Sequence, residues 1–129
     1  MNKTSKRHTG DIGEDLACRH YIDRNYSIID RNVNIHGVGE IDLIVGREYT
    51  NHIEIVFVEV KTRNGTSFGY GYESVDAKKL NKVRKCAAIY TSENRNKIRG
   101  NILWRFDVAS IVMTNPPTIN VYENIDSDI

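Results

Sequence analysis

The chain has 129 residues, 40% of them hydrophobic and 27% charged, with 18 Lys and Arg against 17 Asp and Glu. That length suits one domain with a real core and is short for two, and no run approaches the roughly 18 apolar residues of a membrane span. The opening MNKTSKRHTGDIGEDL is basic but lacks the apolar stretch of a secretory signal, so a cytoplasmic location is expected for one domain over residues 1–129, with a flexible basic start (1–8) and a frayed acidic end (124–129).

From Thr9 to about Arg24 the spacing predicts a helix, with Ile12, Leu16, Ala17, Tyr21 and Ile22 as its apolar stripe and Thr9 or Asp11 as N-cap. Glu14 falls at the edge of that stripe. It also stands three residues after Asp11, the spacing of a capping box. Three strand-like segments follow at 26–35, 40–45 and 52–63, joined by short Gly- or Asn-containing links that suggest antiparallel hairpins. The glycine-rich, aromatic stretch NGTSFGYGYE (64–73) reads as a loop. A second helix is expected from a cap at Ser74 or Asp76 to about Thr91, with Leu80, Val83, Ala87 and Tyr90 toward the core and Lys78, Lys82 and Lys85 on the other side. Strands at 102–113 and 118–123 flank a turn at Asn115-Pro116-Pro117. The order α-β-β-β-α-β-β implies an α/β fold: a central mixed sheet of about five strands flanked by helices, with a parallel crossover through the second helix.

Cys18 and Cys86 lie far apart with no CxxC spacing, so buried, reduced thiols are expected. The four histidines show neither HxH nor HExxH spacing, which leaves histidine metal sites without support.

The third strand carries the informative residues. VFVEVKTR puts Val56, Val58, Val60 and Thr62 on one face and Phe57, Glu59, Lys61 and Arg63 on the other. A Glu-x-Lys pair on a strand is most often a surface ion pair of at most about 1 kcal/mol. Asp42 changes the weighing. Sixteen residues separate it from Glu59, a length that lets a hairpin bring the two acids side by side. Like charges beside a core need a compensating cation or proton. A hard divalent ion, Mg²⁺ or Mn²⁺, takes such carboxylates together with a backbone carbonyl, here that of Val60, and waters. Lys61 is placed to orient or help deprotonate a water and to stabilise charge growing on a phosphate, and Glu14 to complete the shell. Glu40 reads as a turn-edge acid and Glu54 as ordinary edge solvation.

Charge is unevenly distributed. Lys78 to Arg105 holds nine Lys and Arg against the single acid Glu93, while residues 106–129 carry four acids and no base. Such a split favours one basic face able to follow a phosphate backbone, although KKLNKVRK alone reads more often as a solvated helix face.

The ordered set Glu14, Asp42, Glu59-x-Lys61 resembles the PD-(D/E)xK nuclease superfamily and its restriction-endonuclease-like fold. More closely, Gly10 with Glu14 and Ala17, GEIDLI (39–44), VFVEVKTR (56–63), FG (68–69), Glu73, Val75, Lys78, Lys79 and RFDV (105–108) make the chain similar to the YraN-like family of predicted nucleases, related to archaeal Holliday junction resolvases. The resemblance implies Glu14, Asp42, Glu59 and Lys61 as the catalytic set, with Asp42, Glu59, Val60 and Glu14 on Mg²⁺ or Mn²⁺. It further implies a homodimer and 5′-phosphate products. Ile41 stands where the superfamily name has proline, and the absence of any glutamine excludes the Gln-bearing helix motif of the exonuclease branches.

The function expected is metal-dependent endonucleolytic hydrolysis of DNA, selective for branched or junction forms, with Arg63, Lys78, Lys79, Lys82, Arg84 and Lys85 on the DNA backbone. Phe68, Tyr70 and Tyr72 either stack on unpaired bases or pack over their own core. The alternatives are a non-catalytic nucleic-acid-binding module and a protein-interaction adaptor.

Overall fold

The computed structural model describes residues 5–64, 77–98 and 100–125. Within them the elements run α1 (Ser5–Ile22), β1 (Ser27–Ile35), β2 (Gly39–Glu48), β3 (Ile53–Arg63), α2 (Ala77–Glu93), β4 (Ile102–Val112) and β5 (Thr118–Tyr122). The strands form one five-stranded sheet in the order β1-β2-β3-β4-β5. Only β3 and β4 pair in parallel, across the connection that contains α2; the other neighbours are antiparallel. The mixed α/β architecture therefore follows the expected element order, including the crossover.

β3 is central, and a helix packs on each of its faces. Val56 and Val58 meet Ala17, Cys18 and Tyr21 of α1, while Ile55 and Phe57 meet Leu80, Cys86, Ala87 and Tyr90 of α2. A strand covered on both sides reads as a nearly continuous apolar run rather than an alternating one. This is why a phenylalanine precedes Glu59 on what looked like the polar face. Burying Phe57 and Tyr21 fully contributes roughly 1.5–3 kcal/mol each for their apolar surface. Both cysteines are buried and unpaired, as expected.

Several boundaries differ from expectation. α1 begins at Ser5, so Thr9 and Asp11 lie inside the helix and neither is its N-cap, and residues 5–8 belong to it. The capping-box reading of Glu14 falls with them. Packing of Ala17, Cys18 and Tyr21 holds the helix through Gly10 and Gly13. It stops at Ile22, where Asn25 takes a left-handed conformation (φ 68°) and the Tyr26 N–H donates to the Tyr21 carbonyl, the geometry of a Schellman cap. Ile22 is exposed, and Cys18 takes its place in the packed stripe. β2 runs on to Glu48 through Gly46, whose missing side chain leaves room for Ile29: a Cβ there would come within 2.6 Å of Ile29 Cδ1.

The C-terminal segment is held at its start, since the Asn124 N–H donates to Asp107 and Ile125 packs on the α2-side core. The expected caps Ser74 and Asp76, the aromatic loop residues Phe68, Tyr70 and Tyr72, residues 1–4 and residues 126–129 lie outside the described residues.

The sheet also forks. Pairing of β2 with β3 runs from Glu48↔Ile53 only as far as Leu43↔Val58. Beyond that point β2 continues with β1 to Gly39, and β3 continues with β4 to Arg63.

Candidate active site

Asp42 and Glu59 are the next residues after the last β2–β3 pair; Glu59 reaches Lys79 of α2, and both acids border a cavity against that helix. In the crotch of the fork, Asp42 Oδ2 accepts the Val60 N–H at 2.8 Å, so a carboxylate takes up a backbone donor that the β2 ladder no longer satisfies. The two acids line one cavity of about 270 Å³, bordered also by Glu40 from β2 and by Lys79 and Lys82 from α2. Glu59 Oε1 receives two ammonium groups: Lys79 Nζ at 2.6 Å and Lys61 Nζ at 3.3 Å.

The electrostatics follow from this crowding. Burial and the adjacent Glu59 charge push the Asp42 carboxyl up to about 6, against the Val60 N–H and the Lys79 ammonium, and the Glu14 charge adds to the upward push. Lys61 is driven below the ordinary lysine value by the adjacent Lys79 and by burial, with Glu59 opposing. For Lys79 burial works against the charged form, but its bond to Glu59 and the neighbouring Lys61 outweigh it and the net direction is upward. The two lysines are thus unequal. Lys79 holds its proton firmly, and Lys61 is the one more ready to give it up.

Glu14 approaches from the opposite side of the sheet. A Cβ on Gly13 would lie 2.4 Å from Thr62 Oγ1, so glycine lets the α1 backbone close onto β3 beside the fork. The Glu14 carboxylate accepts from Asn32 Nδ2 at 3.1 Å and meets Arg31 Nη2 at 3.4 Å; the same arginine nitrogen reaches Asp15 at 3.0 Å. Arg31 and Asn32 were not singled out from the sequence, because they carry no period or motif of their own. Among the described residues, no three His, Cys, Asp or Glu side chains converge as a ready metal cluster. The structure brings together Asp42 and Glu59, with Lys61 beside them and the Val60 backbone at the fork.

The basic residues separate into two groups. Lys78, Lys82 and Lys85 are exposed on α2, Arg84 is half-buried with Nη1 donating to Asn81 at 3.0 Å, and Arg63 sits half-buried at the end of β3. Lys79 is turned inward onto Glu59 and leaves that outer row. Its position was legible: Lys79, Val83, Cys86 and Tyr90 recur at helical spacing, and the last three face the sheet.

A mixed sheet between helices, forked over a carboxylate pair with lysines at its lip, defines the class of α/β protein to which the chain belongs by architecture. Sequence comparison then gives the family. The model described as "Uncharacterised protein family UPF0102" matches residues 13–111, and the chain belongs to that family. It is 38% identical over 127 residues to a UPF0102 protein of Corynebacterium efficiens, covering 96% of each chain. A UPF0102 protein of Acetivibrio thermocellus is 38% identical over 112 residues, covering 87% of this chain and 81% of the relative. One from Clostridioides difficile is 36% identical over 113 residues, covering 88% and 90%. No helix among the described residues is long and apolar enough to cross a membrane.

Proposed function

We propose that this protein is a divalent-metal-dependent nuclease that hydrolyses DNA phosphodiester bonds, with branched DNA as its preferred substrate. The observation that carries the reading is the juxtaposition at the fork of Asp42 and Glu59, with the Lys61 ammonium 3.3 Å from Glu59. The donor set fits a hard cation: two carboxylates supply oxygen ligands, the Val60 carbonyl is available at the same place, and the raised Asp42 carboxyl marks a site short of positive charge. Asp42, Glu59 and Val60 would hold Mg²⁺ or Mn²⁺, with Glu14 on the α1 side completing the shell. When bound, the ion supplies Lewis-acid polarisation of a phosphate oxygen and a more acidic water.

The chain's own groups do the rest. Lys61, with its depressed affinity for a proton, orients the attacking water, takes part in its deprotonation and offers positive charge to the phosphoryl oxygens. Glu59 fixes the Lys61 ammonium. Lys78, Lys82 and Lys85 form the exposed row that would follow the DNA backbone, with Arg63 and Arg84 flanking it. A homodimer would present two such forks to a junction.

The test is incubation of purified protein with junction, flap, single-stranded and duplex DNA in Mn²⁺, beside a Lys61→Ala variant. Cleavage that depends on both Mn²⁺ and Lys61 is expected; cleavage undiminished by the substitution would expose a contaminant. One observation favours a second reading, a nucleic-acid-binding module without catalysis: two ammonium groups already neutralise Glu59. Absence of Mn²⁺ uptake together with salt-sensitive DNA binding would select it.

A further inference from the structure

The row of lysines on α2 is broken by one that faces the acids. Lys79 lies in the first turn of α2 (Ala77–Glu93), on the stripe that Val83, Cys86 and Tyr90 continue into the core. Its Nζ stands 2.6 Å from Glu59 Oε1, nearer than the Lys61 Nζ at 3.3 Å on the same oxygen. The two side chains are 34% and 18% exposed, so the contact is partly shielded from water. A divalent cation taking this carboxylate would be repelled more strongly by the ammonium at 2.6 Å from its oxygen than by the one at 3.3 Å.

We propose that Lys79 is a built-in competitor for the metal: its ammonium neutralises the acid pair in the metal-free protein and must leave Glu59 before a divalent ion binds there. This rests on the metal-dependent reading above and adds a residue that sets the affinity for the ion. Lys82 borders the same cavity from the next turn but is exposed, with no carboxylate of the pair within the contacts seen for Lys79. Removing either lysine changes the net charge equally, so the two substitutions separate direct competition from general repulsion.

The experiment is calorimetric titration of Mn²⁺ into the wild type, Lys79→Met and Lys82→Met, without DNA, at fixed ionic strength. Methionine keeps the length of the side chain, and folding of each variant is checked by its melting curve. Lys79→Met should bind Mn²⁺ about fivefold more tightly than wild type, the scale of a lost ion pair worth about 1 kcal/mol, and Lys82→Met less than about twofold. Equal affinity in wild type and Lys79→Met, or equal tightening in both variants, overturns the competition while leaving the metal site intact. Uptake by none of the three proteins overturns the nuclease reading and the competition with it. A second readout uses wild-type protein alone: in lysine-¹³C-labelled protein, the Lys79 Cε resonance, assigned by its loss in Lys79→Met, should shift on addition of Mg²⁺, and a resonance that stays in place counts against release.

Discussion

Two carboxylates in this molecule, one on β4 and one at the β2–β3 fork, meet opposite fates. Asp107 on β4 is 1% exposed, yet every side of it is satisfied. Tyr21 Oη donates to it at 2.6 Å, Arg105 Nε and Nη2 at 2.9 and 2.8 Å, and the Asn124 N–H at 2.9 Å. Arg105 in turn meets Glu54 at 3.5 Å and Glu123 at 3.4 Å. Burial and the Asp107 charge raise the Tyr21 hydroxyl well above its usual range, so it stays protonated as a donor. Asp42 is less deeply placed, but its neighbour is another acid and it accepts from the Val60 N–H. Depth of burial therefore does not separate the two carboxylates. The balance between negative charge and donors does, and of the two sites the fork is the one that leaves it incomplete.

The largest effect expected is on the satisfied side. Asp107→Ala leaves the Arg105 guanidinium half-buried without its bidentate partner and strands the Tyr21 hydroxyl, a loss of about 3–5 kcal/mol of folding stability. Urea unfolding measures it, and a loss below about 1 kcal/mol would erase the contrast between the two regions. Next comes Lys61→Ala on the unsatisfied side. DNA cleavage in Mn²⁺ should fall about a hundredfold or more, the scale for removing a group that stabilises developing charge. The midpoint of unfolding should move little, because Lys61 is partly exposed and buries no core surface. A variant that keeps its activity but loses several kcal/mol of stability would place Lys61 with the structural network instead.

How much of this was legible follows from which signals are local. The period-two alternation in VFVEVKTR put Glu59 and Lys61 on one face before any coordinates, and the sixteen-residue spacing set Asp42 beside Glu59; alternation does not carry through Asp42 in β2, since Ile41 packs with Ile44 in the α2-side core while Leu43 packs on the α1 side. The fork itself was not legible, because the point where two strands stop pairing depends on which neighbour each follows afterwards. Glu54 was expected to be an edge acid, yet it is half-buried: Tyr26 Oη donates to it and Arg105, 51 residues later in the chain, meets it. Only tertiary structure brings those residues together. The start of α1 was missed because Ser5, Lys6, Arg7 and His8 carry no apolar residue that would extend the stripe, and Thr9 offered a cap. Lys79 is different. Its helical spacing with Val83, Cys86 and Tyr90 already set it apart from Lys78, Lys82 and Lys85, and sorting the lysines by phase rather than by charge would have turned it inward.

The smallest effect is also the most discriminating. With its carboxyl raised from 3.8 to about 6, Asp42 is protonated in both folded and unfolded chains below about pH 3.8 and contributes no penalty there. Between pH 3.8 and 6 the unfolded chain ionises first. The folded state therefore loses stability across that window, and the penalty is complete above pH 6. Asp42→Asn keeps an oxygen acceptor for the Val60 N–H and removes the charge. It should stabilise the metal-free protein above pH 6 by about 1–2 kcal/mol, after allowance for the site's partial exposure to solvent. The gain should vanish toward pH 4. Urea unfolding in chelator at pH 4, 5, 6 and 7.5 reads this directly, and a net loss at pH 7.5 would mean that Asp42 is as structural as Asp107. Adding Mn²⁺ then asks the reverse question. An ion that binds only the folded wild type stabilises it by mass action, so excess Mn²⁺ should shrink or invert the advantage of Asp42→Asn at pH 7.5. A charge that weakens the empty fold and strengthens the loaded one is the signature of a carboxylate kept for its ligand, and no rearrangement of structural hydrogen bonds produces both signs.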